Sequence, residues 1–115
     1  MSKRVAVIDL GSNSARMAIF ERTSRFGFFI LREYKVKVRL GEGAYDKGGF
    51  LQDEAMDNVL YAFSEFKYFL SIYKVGKVLC TGTSALRDAP NSNLFINRVK
   101  KELGLNLRVI SGDME

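Results

Sequence analysis

The chain of 115 residues contains no histidine, no tryptophan, one cysteine and one proline. Without histidine there is no Ser-His-Asp triad, no Cys-His pair and no His/Cys zinc cluster. With Cys80 as the only cysteine, no disulfide can form within the chain, and a cytoplasmic setting is expected. No apolar run approaches the roughly 18 residues that span a membrane. The opening run Val5–Ile8 is ended by Asp9 after four residues, too soon for the core of a signal peptide. There is no low-complexity tract. Any chemistry must therefore come from carboxylates, Ser, Thr or Asn, Arg or Lys, backbone amides, or a hard metal ion.

What is present is ordinary for a globular domain: 47% hydrophobic and 27% charged residues, in a length that suits one domain with a real core. The net charge is +5, and it is concentrated. Between residues 22 and 39, Arg22, Arg25, Arg32, Lys35, Lys37 and Arg39 face Glu33 alone. Tyr34, Val36, Val38 and Leu40 alternate there with Glu33, Lys35, Lys37 and Arg39, so a strand would have one apolar and one cationic face. The cationic face is either a solvated face protecting a sheet edge or a track for a polyanion.

The apolar run 5–8 reads as a buried strand, followed by a turn at 11–14. Residues 15–21 and 26–40 read as second and third strands, and 41–49 as a glycine-rich loop. Met56, Val59, Leu60, Phe63, Phe66, Leu70 and Tyr73 recur at helical spacing, which predicts a helix over 53–73. Asp53, Glu54 and Asp57 suit its start, Lys67 and Lys74 its end, and Gly76 is a candidate terminator. Residues 77–81 read as a strand and 82–91 as a loop with a helical turn. A second helix runs to Leu103 and stops at Gly104. A fifth strand follows over 105–110. The order is βββαβαβ, an α/β chain with a mixed sheet. The end at 111–115 resembles a strand-to-helix turn without its helix, so the expectation is one domain over 1–115, cut before its last helix from a longer parent.

Three strand ends carry groups that suit phosphate. At Asp9-Leu-Gly-Ser-Asn-Ser14, Gly11 permits a tight turn, Ser12, Asn13 and Ser14 offer hydroxyl and amide groups, and successive N–H groups can form an anion nest. Asp9 could hold a metal ion or its water. The plain alternative is a hairpin turn. At Thr81–Asn91, Arg87 offers a fork for phosphate. The alternative pairs it with Asp88 or Glu102 and makes Thr83 or Ser84 a helix cap. At Ile110–Glu115, Glu115 is either a general base or a first-turn acid. The spacing is neither a Walker loop nor GxGxxG. Cys80 suits a buried small hydrophobe. Phe26, Phe28 and Phe29 suit either the core or an exposed binding face.

Val7-Ile-Asp-Leu-Gly-Ser-Asn-Ser-Ala-Arg16, Val38-Arg-Leu-Gly-Glu-Gly43, Gly82-Thr-Ser-Ala-Leu-Arg-Asp-Ala-Pro-Asn91 and Val109-Ile-Ser-Gly-Asp-Met-Glu115 together resemble the amino-terminal part of the exopolyphosphatase/guanosine pentaphosphate phosphohydrolase family. The resemblance implies a ribonuclease-H-like domain of the actin, sugar kinase and heat-shock chaperone superfamily. It implies hydrolysis of a terminal phosphoanhydride of polyphosphate or guanosine pentaphosphate, with Mg²⁺, in the cytoplasm and in the bacterial stringent response. By the same resemblance, Ser12, Asn13, Ser14 and Arg87 contact phosphate, Asp9 lies near the metal, and Glu115 readies the water. The family usually has Glu-Glu where this chain has Met114-Glu115. Its second phosphate loop lies beyond residue 115, so the 115 residues alone are expected to be inactive. No membrane, no specific nucleic acid and a homodimer of the parent complete these expectations. The rival readings are an ATP-dependent small-molecule kinase of the same superfamily and a non-enzymatic polyanion-binding module.

Overall fold

A computed structural model describes residues 3–25, 27–41 and 48–110, apart from the side chain of Ser84. Phe26, the centre of the glycine-rich loop and the 111–115 segment with Glu115 lie outside the described residues.

Five strands form one mixed sheet: β1 (Arg4–Leu10), β2 (Ser14–Arg22), β3 (Phe28–Lys37), β4 (Lys77–Gly82) and β5 (Leu107–Val109). Their spatial order is β3-β2-β1-β4-β5. The first three strands are an antiparallel meander, and β4 and β5 run parallel to β1. Among the described residues three helices connect the later strands: α1 (Asp53–Ile72), α2 (Ser84–Asp88) and α3 (Ser92–Leu103).

Alternation along the strands separates the two faces. Ala6, Ile8 and Leu10 of β1, Ala15, Met17 and Ile19 of β2, Cys80 of β4 and Leu107 of β5 are all buried. They meet the apolar stripe of α1, where Met56, Val59, Leu60, Phe63, Phe66 and Leu70 are buried at the spacing the sequence predicted. Phe95 and Val99 of α3 join the same core. On the other face none of Val5, Val7, Asp9, Arg16, Ala18, Phe20, Leu79 and Arg108 is buried, and no described element covers it.

Several expectations change. β3 ends at Lys37 rather than Leu40. An extra residue, Leu31, lies between the pairs Ile19–Arg32 and Phe20–Ile30, a bulge that shifts the alternation. Arg32 therefore turns to the helix side, where its Nε donates to the Tyr73 hydroxyl at 2.9 Å. Tyr34, on that same side, stacks on Phe69 with centroids 4.3 Å apart. Arg39 leaves the strand altogether at φ 51°. Phe28 and Phe29 are exposed, not core.

The end of α1 also differs. The helix stops at Ile72, and Lys74, at φ 54°, takes the left-handed position expected of Gly76. Lys74 N–H donates to Ser71 and Val75 N–H to Leu70, the bond pair of a Schellman turn. Lys67 does not serve the end of its own helix; its Nζ donates to the Leu103 carbonyl at the end of α3, at 2.6 Å. Gly104 ends α3 as expected, with φ 70°.

Candidate phosphate site at the strand ends

The parallel placement of β1, β4 and β5 determines where the candidate residues meet. In register, Leu10 lies beside Gly82 and Gly82 beside Val109. The carboxyl ends of the three strands are thus level on one edge of the sheet. In open α/β sheets this edge is where ligands bind. The turn 11–13, the start of α2 and the exit of β5 all leave from it.

The turn after β1 is pinned from outside. Gly11 N–H donates to the Ser14 carbonyl at 2.9 Å. The Asn13 carbonyl accepts from both Val38 and Arg39 N–H, at 2.8 and 3.1 Å, and the Ser12 carbonyl accepts from Gly41 N–H at 3.1 Å. The carbonyls are thereby taken up by the 38–41 segment. The N–H groups of Ser12 and Asn13 and the side chains of Ser12, Asn13 and Ser14 make no hydrogen bond among the described residues. Asn13 is exposed, and Ser12 and Ser14 are half-buried. Two consecutive unclaimed N–H groups in a tight turn, flanked by hydroxyls and an amide, have the composition of an anion nest.

The second wall is the β4–α2 junction. Thr83 N–H donates to the Leu10 carbonyl at 3.0 Å, which ties the start of α2 to the end of β1. Thr83 is the residue before the helix, but its side chain makes no cap. Its hydroxyl instead faces the Leu10 carbonyl at 3.5 Å. Gly82 permits this junction: a Cβ there would lie 2.6 Å from Leu86 Cδ2. Gly41 separates the two walls, since a Cβ on it would touch Ser12 Cβ at 3.8 Å and Ala85 Cβ at 3.9 Å.

Arg87 projects from α2 toward β5. Its Nη1 donates to the Ile110 carbonyl at 3.3 Å, and its Nε lies 3.5 Å from Asp88 Oδ1. The pairing with Asp88 is the one expected of a surface arginine. Glu102, the other expected partner, binds Arg98 instead. The reach to Ile110 brings Arg87 to the last described residue before the 111–115 segment. The 9–14 turn, Arg87 and the exit of β5 therefore share one edge. The position of Glu115 lies outside the described residues.

Asp9 is exposed on the uncovered face, directly opposite Arg16. Among the described residues no group of three His, Cys, Asp or Glu side chains is placed to hold a metal. A single carboxylate suits Mg²⁺, which keeps several waters and takes further oxygens from substrate phosphates. Cys80 is buried beneath this edge. Burial first, and the Asp9 charge second, push its thiol up to about 12. It stays neutral and is no nucleophile.

One positioning residue carries more than its motif suggested. The Asn91 side chain pairs with both backbone groups of Leu51: Leu51 N–H donates to Oδ1 at 2.9 Å, and Nδ2 donates to the Leu51 carbonyl at 3.0 Å. This clamp joins the far end of the glycine-rich loop to the α2–α3 junction. Nothing in periodicity or composition signals it, because it spans 40 residues.

Comparison with known proteins gives the family and the fold. The model of the Ppx/GppA phosphatase family matches residues 18–115. A bifunctional 3-dehydroquinate synthase/phosphatase of Fusobacterium nucleatum is 32% identical, over 96% of this chain and 17% of its own length. A guanosine-5'-triphosphate,3'-diphosphate pyrophosphatase of Aliivibrio fischeri is 34% identical, over 100% of this chain and 23% of its own. The crystal structure of an exopolyphosphatase from Cytophaga hutchinsonii superposes with a TM-score of 0.92 at 37% identity, covering 97% of this chain and 35% of that one. The chain thus spans between about a sixth and a third of the length of these relatives. The five-stranded mixed sheet with its helices is that of the solved family structures, with the actin-like fold, and α2 is an addition to the expected βββαβαβ order. On sequence and architecture together, the chain belongs to the Ppx/GppA phosphatase family.

Proposed function

We propose that this segment forms the phosphate-gripping half of a cytoplasmic hydrolase that removes the terminal phosphoryl group from polyphosphate or guanosine pentaphosphate. The relatives named above carry a phosphatase, a pyrophosphatase and an exopolyphosphatase name. The observation that supports the reading most is the pair of N–H groups at Ser12 and Asn13 that no described residue claims, in a turn that leaves the same strand-end edge as the β4–α2 junction.

In this reading Ser12, Asn13 and Ser14 receive the terminal phosphate, and Arg87 offsets its charge as the bond to the leaving phosphate lengthens. Glu115 orients or deprotonates the attacking water. Asp9 would hold Mg²⁺ through its water shell, and the ion would supply charge neutralisation on the phosphates. The 115 residues on their own are expected to release no phosphate, since they span at most about a third of the relatives' length.

The test is Glu115→Gln in a full-length family enzyme that carries this segment. Phosphate release should fall roughly 10²-fold or more, as for loss of a general base, while tripolyphosphate still binds. Unchanged turnover rejects the assignment of Glu115.

A further inference from the structure

α2 is only five residues long, Ser84–Asp88. A helix of this length has no stability of its own, so the place of Arg87 depends on what ties α2 down. Its amino end is tied to the sheet, through Thr83 N–H on the Leu10 carbonyl at 3.0 Å. Its middle is anchored by the buried Leu86. Beyond its carboxyl end stands Asn91, whose Oδ1 accepts from Leu51 N–H at 2.9 Å and whose Nδ2 donates to the Leu51 carbonyl at 3.0 Å.

The residues between Arg87 and Asn91 leave little slack. Ala89 is buried and extended, with φ −78° and ψ 131°, the range that a following proline imposes. Pro90 fixes its own φ. Ala89 N–H donates to the Leu86 carbonyl at 3.4 Å, and Ser92 N–H to the Ala89 carbonyl at 3.2 Å. A shift at Asn91 is therefore passed to Arg87 rather than absorbed. The anchor itself is firm. Leu51 is buried in the core, and the next carbonyl, that of Gln52, accepts from Met56 N–H in the first turn of α1 at 3.0 Å. α2 is thus held between β1 at one end and the start of α1 at the other, and from it Arg87 reaches the Ile110 carbonyl.

Asn91 gives up a local role for this. It is the residue before α3, where asparagine is among the best caps, yet its side chain makes no cap bond. Both of its polar ends go to Leu51, 40 residues away.

We propose that Asn91 is a positioning residue for Arg87: it sets the carboxyl end of α2, and with it the place of the guanidinium at the strand-end edge before a phosphate arrives. The inference rests on the phosphohydrolase reading above and adds to it a residue that acts through Arg87. A group that offsets charge in the transition state works only from its proper place, and a misplacement of about 1 Å can cost roughly 10²-fold.

The test is tripolyphosphate hydrolysis by a full-length family enzyme that carries this segment. Asn91→Ala should lower kcat about tenfold or more, while KM changes by less than about threefold. Arg87→Ala alone should lower kcat roughly 10²-fold, and adding Asn91→Ala to it should cost less than about twofold more. Ile19→Ala empties a core position on β2, away from the strand-end edge. It controls for lost stability and should keep its kcat. The Leu86 and Arg87 amides both donate to the Thr83 carbonyl. Their hydrogen exchange should quicken about tenfold or more in Asn91→Ala, relative to the amides of α1. Should Asn91→Ala not fold, Asn91→Asp keeps the bond from Leu51 N–H and loses the one to the Leu51 carbonyl, and the same pattern is expected with a smaller fall. Unchanged kcat overturns the proposal, as does a loss that persists in full in the Arg87→Ala background or an equal loss in Ile19→Ala. Unchanged exchange in α2 overturns it too. If Arg87→Ala itself leaves turnover intact, the phosphate role of Arg87 fails, whereas quickened exchange in α2 still demonstrates the hold of Asn91 on that helix.

Discussion

Gly82→Ala tests the packing that holds α2 over the strand ends. The added methyl would lie 2.6 Å from Leu86 Cδ2, while its next neighbours, Leu86 Cβ and Leu107 Cδ1, would lie at 3.5 and 3.6 Å. Carbon atoms in contact sit roughly 3.5–4.0 Å apart, so one atom must move by about 1 Å. That atom ends a flexible side chain, but Leu86 is only 1% exposed and has little room to turn. Overpacking of this kind costs about 1–3 kcal/mol. Gly82 does not adopt a left-handed φ, so the cost is steric and should be relieved by removing the obstacle. The assay is a double-mutant cycle with Leu86→Ala, read by urea unfolding. Leu86→Ala alone should cost about 2–5 kcal/mol, as for a buried leucine. In the Gly82→Ala background it should cost about 1–2 kcal/mol less, because the clash disappears with the side chain. Tripolyphosphate binding should weaken in Gly82→Ala and recover in part in the double variant. Strict additivity of the two stability changes would refute the argument.

Two further outcomes follow from individual contacts. Asn91→Ala removes both partners of the buried Leu51 backbone and should cost about 2–4 kcal/mol in urea unfolding, from two lost hydrogen bonds and two deprived groups; a cost under about half a kilocalorie would show that water replaces the clamp. Burial raises the Cys80 thiol from 9.0 to about 12, so the neutral thiol is favoured in the folded state. Its contribution is intact below pH 9 and is lost as pH climbs toward 12, by up to about 4 kcal/mol at 1.36 kcal/mol per unit. Cys80→Ala should therefore flatten the alkaline fall in stability relative to the parent chain, and parallel curves between pH 9 and 11 would contradict the burial.

The elements themselves were legible because their signals are local. The apolar spacing in α1, the run before Asp9 and the glycine after Leu103 each state a period or a stop within a few residues. The candidate edge was legible for a related reason: three strands each ended in polar turn residues. What failed to show was set by register. A one-residue bulge at Leu31 turned Arg32 to the helix side, and no alternation rule run along one strand can anticipate an insertion chosen by its neighbour. The placement of Arg16 between Asp9 and Lys35 likewise carries no local signal, because it is set by register across three strands. The Asn91 clamp and the left-handed Lys74 are likewise tertiary choices, where packing outweighed the expectation of glycine.

The candidate edge is set apart by which backbone groups are engaged and which are left. The 38–41 segment donates three N–H groups to the turn and accepts none from it, so it fixes the Ser12 and Asn13 carbonyls without touching their N–H groups. A buried turn in that state would be costly, since unpaired backbone donors lose about as much as a missing hydrogen bond. Here the residues are exposed or half-exposed, so water can serve until an anion arrives. The arrangement needs the 38–41 segment to come close, and Arg39 accepts a left-handed φ of 51° to let two successive N–H groups reach one carbonyl. Such strain, of the order of 1–2 kcal/mol for a non-glycine residue, is retained where the surrounding contacts over-determine it. It marks the 38–41 segment as the part of this domain that holds the 11–14 turn in place, with backbone donors to the turn and the Val38 and Leu40 side chains anchored in the core.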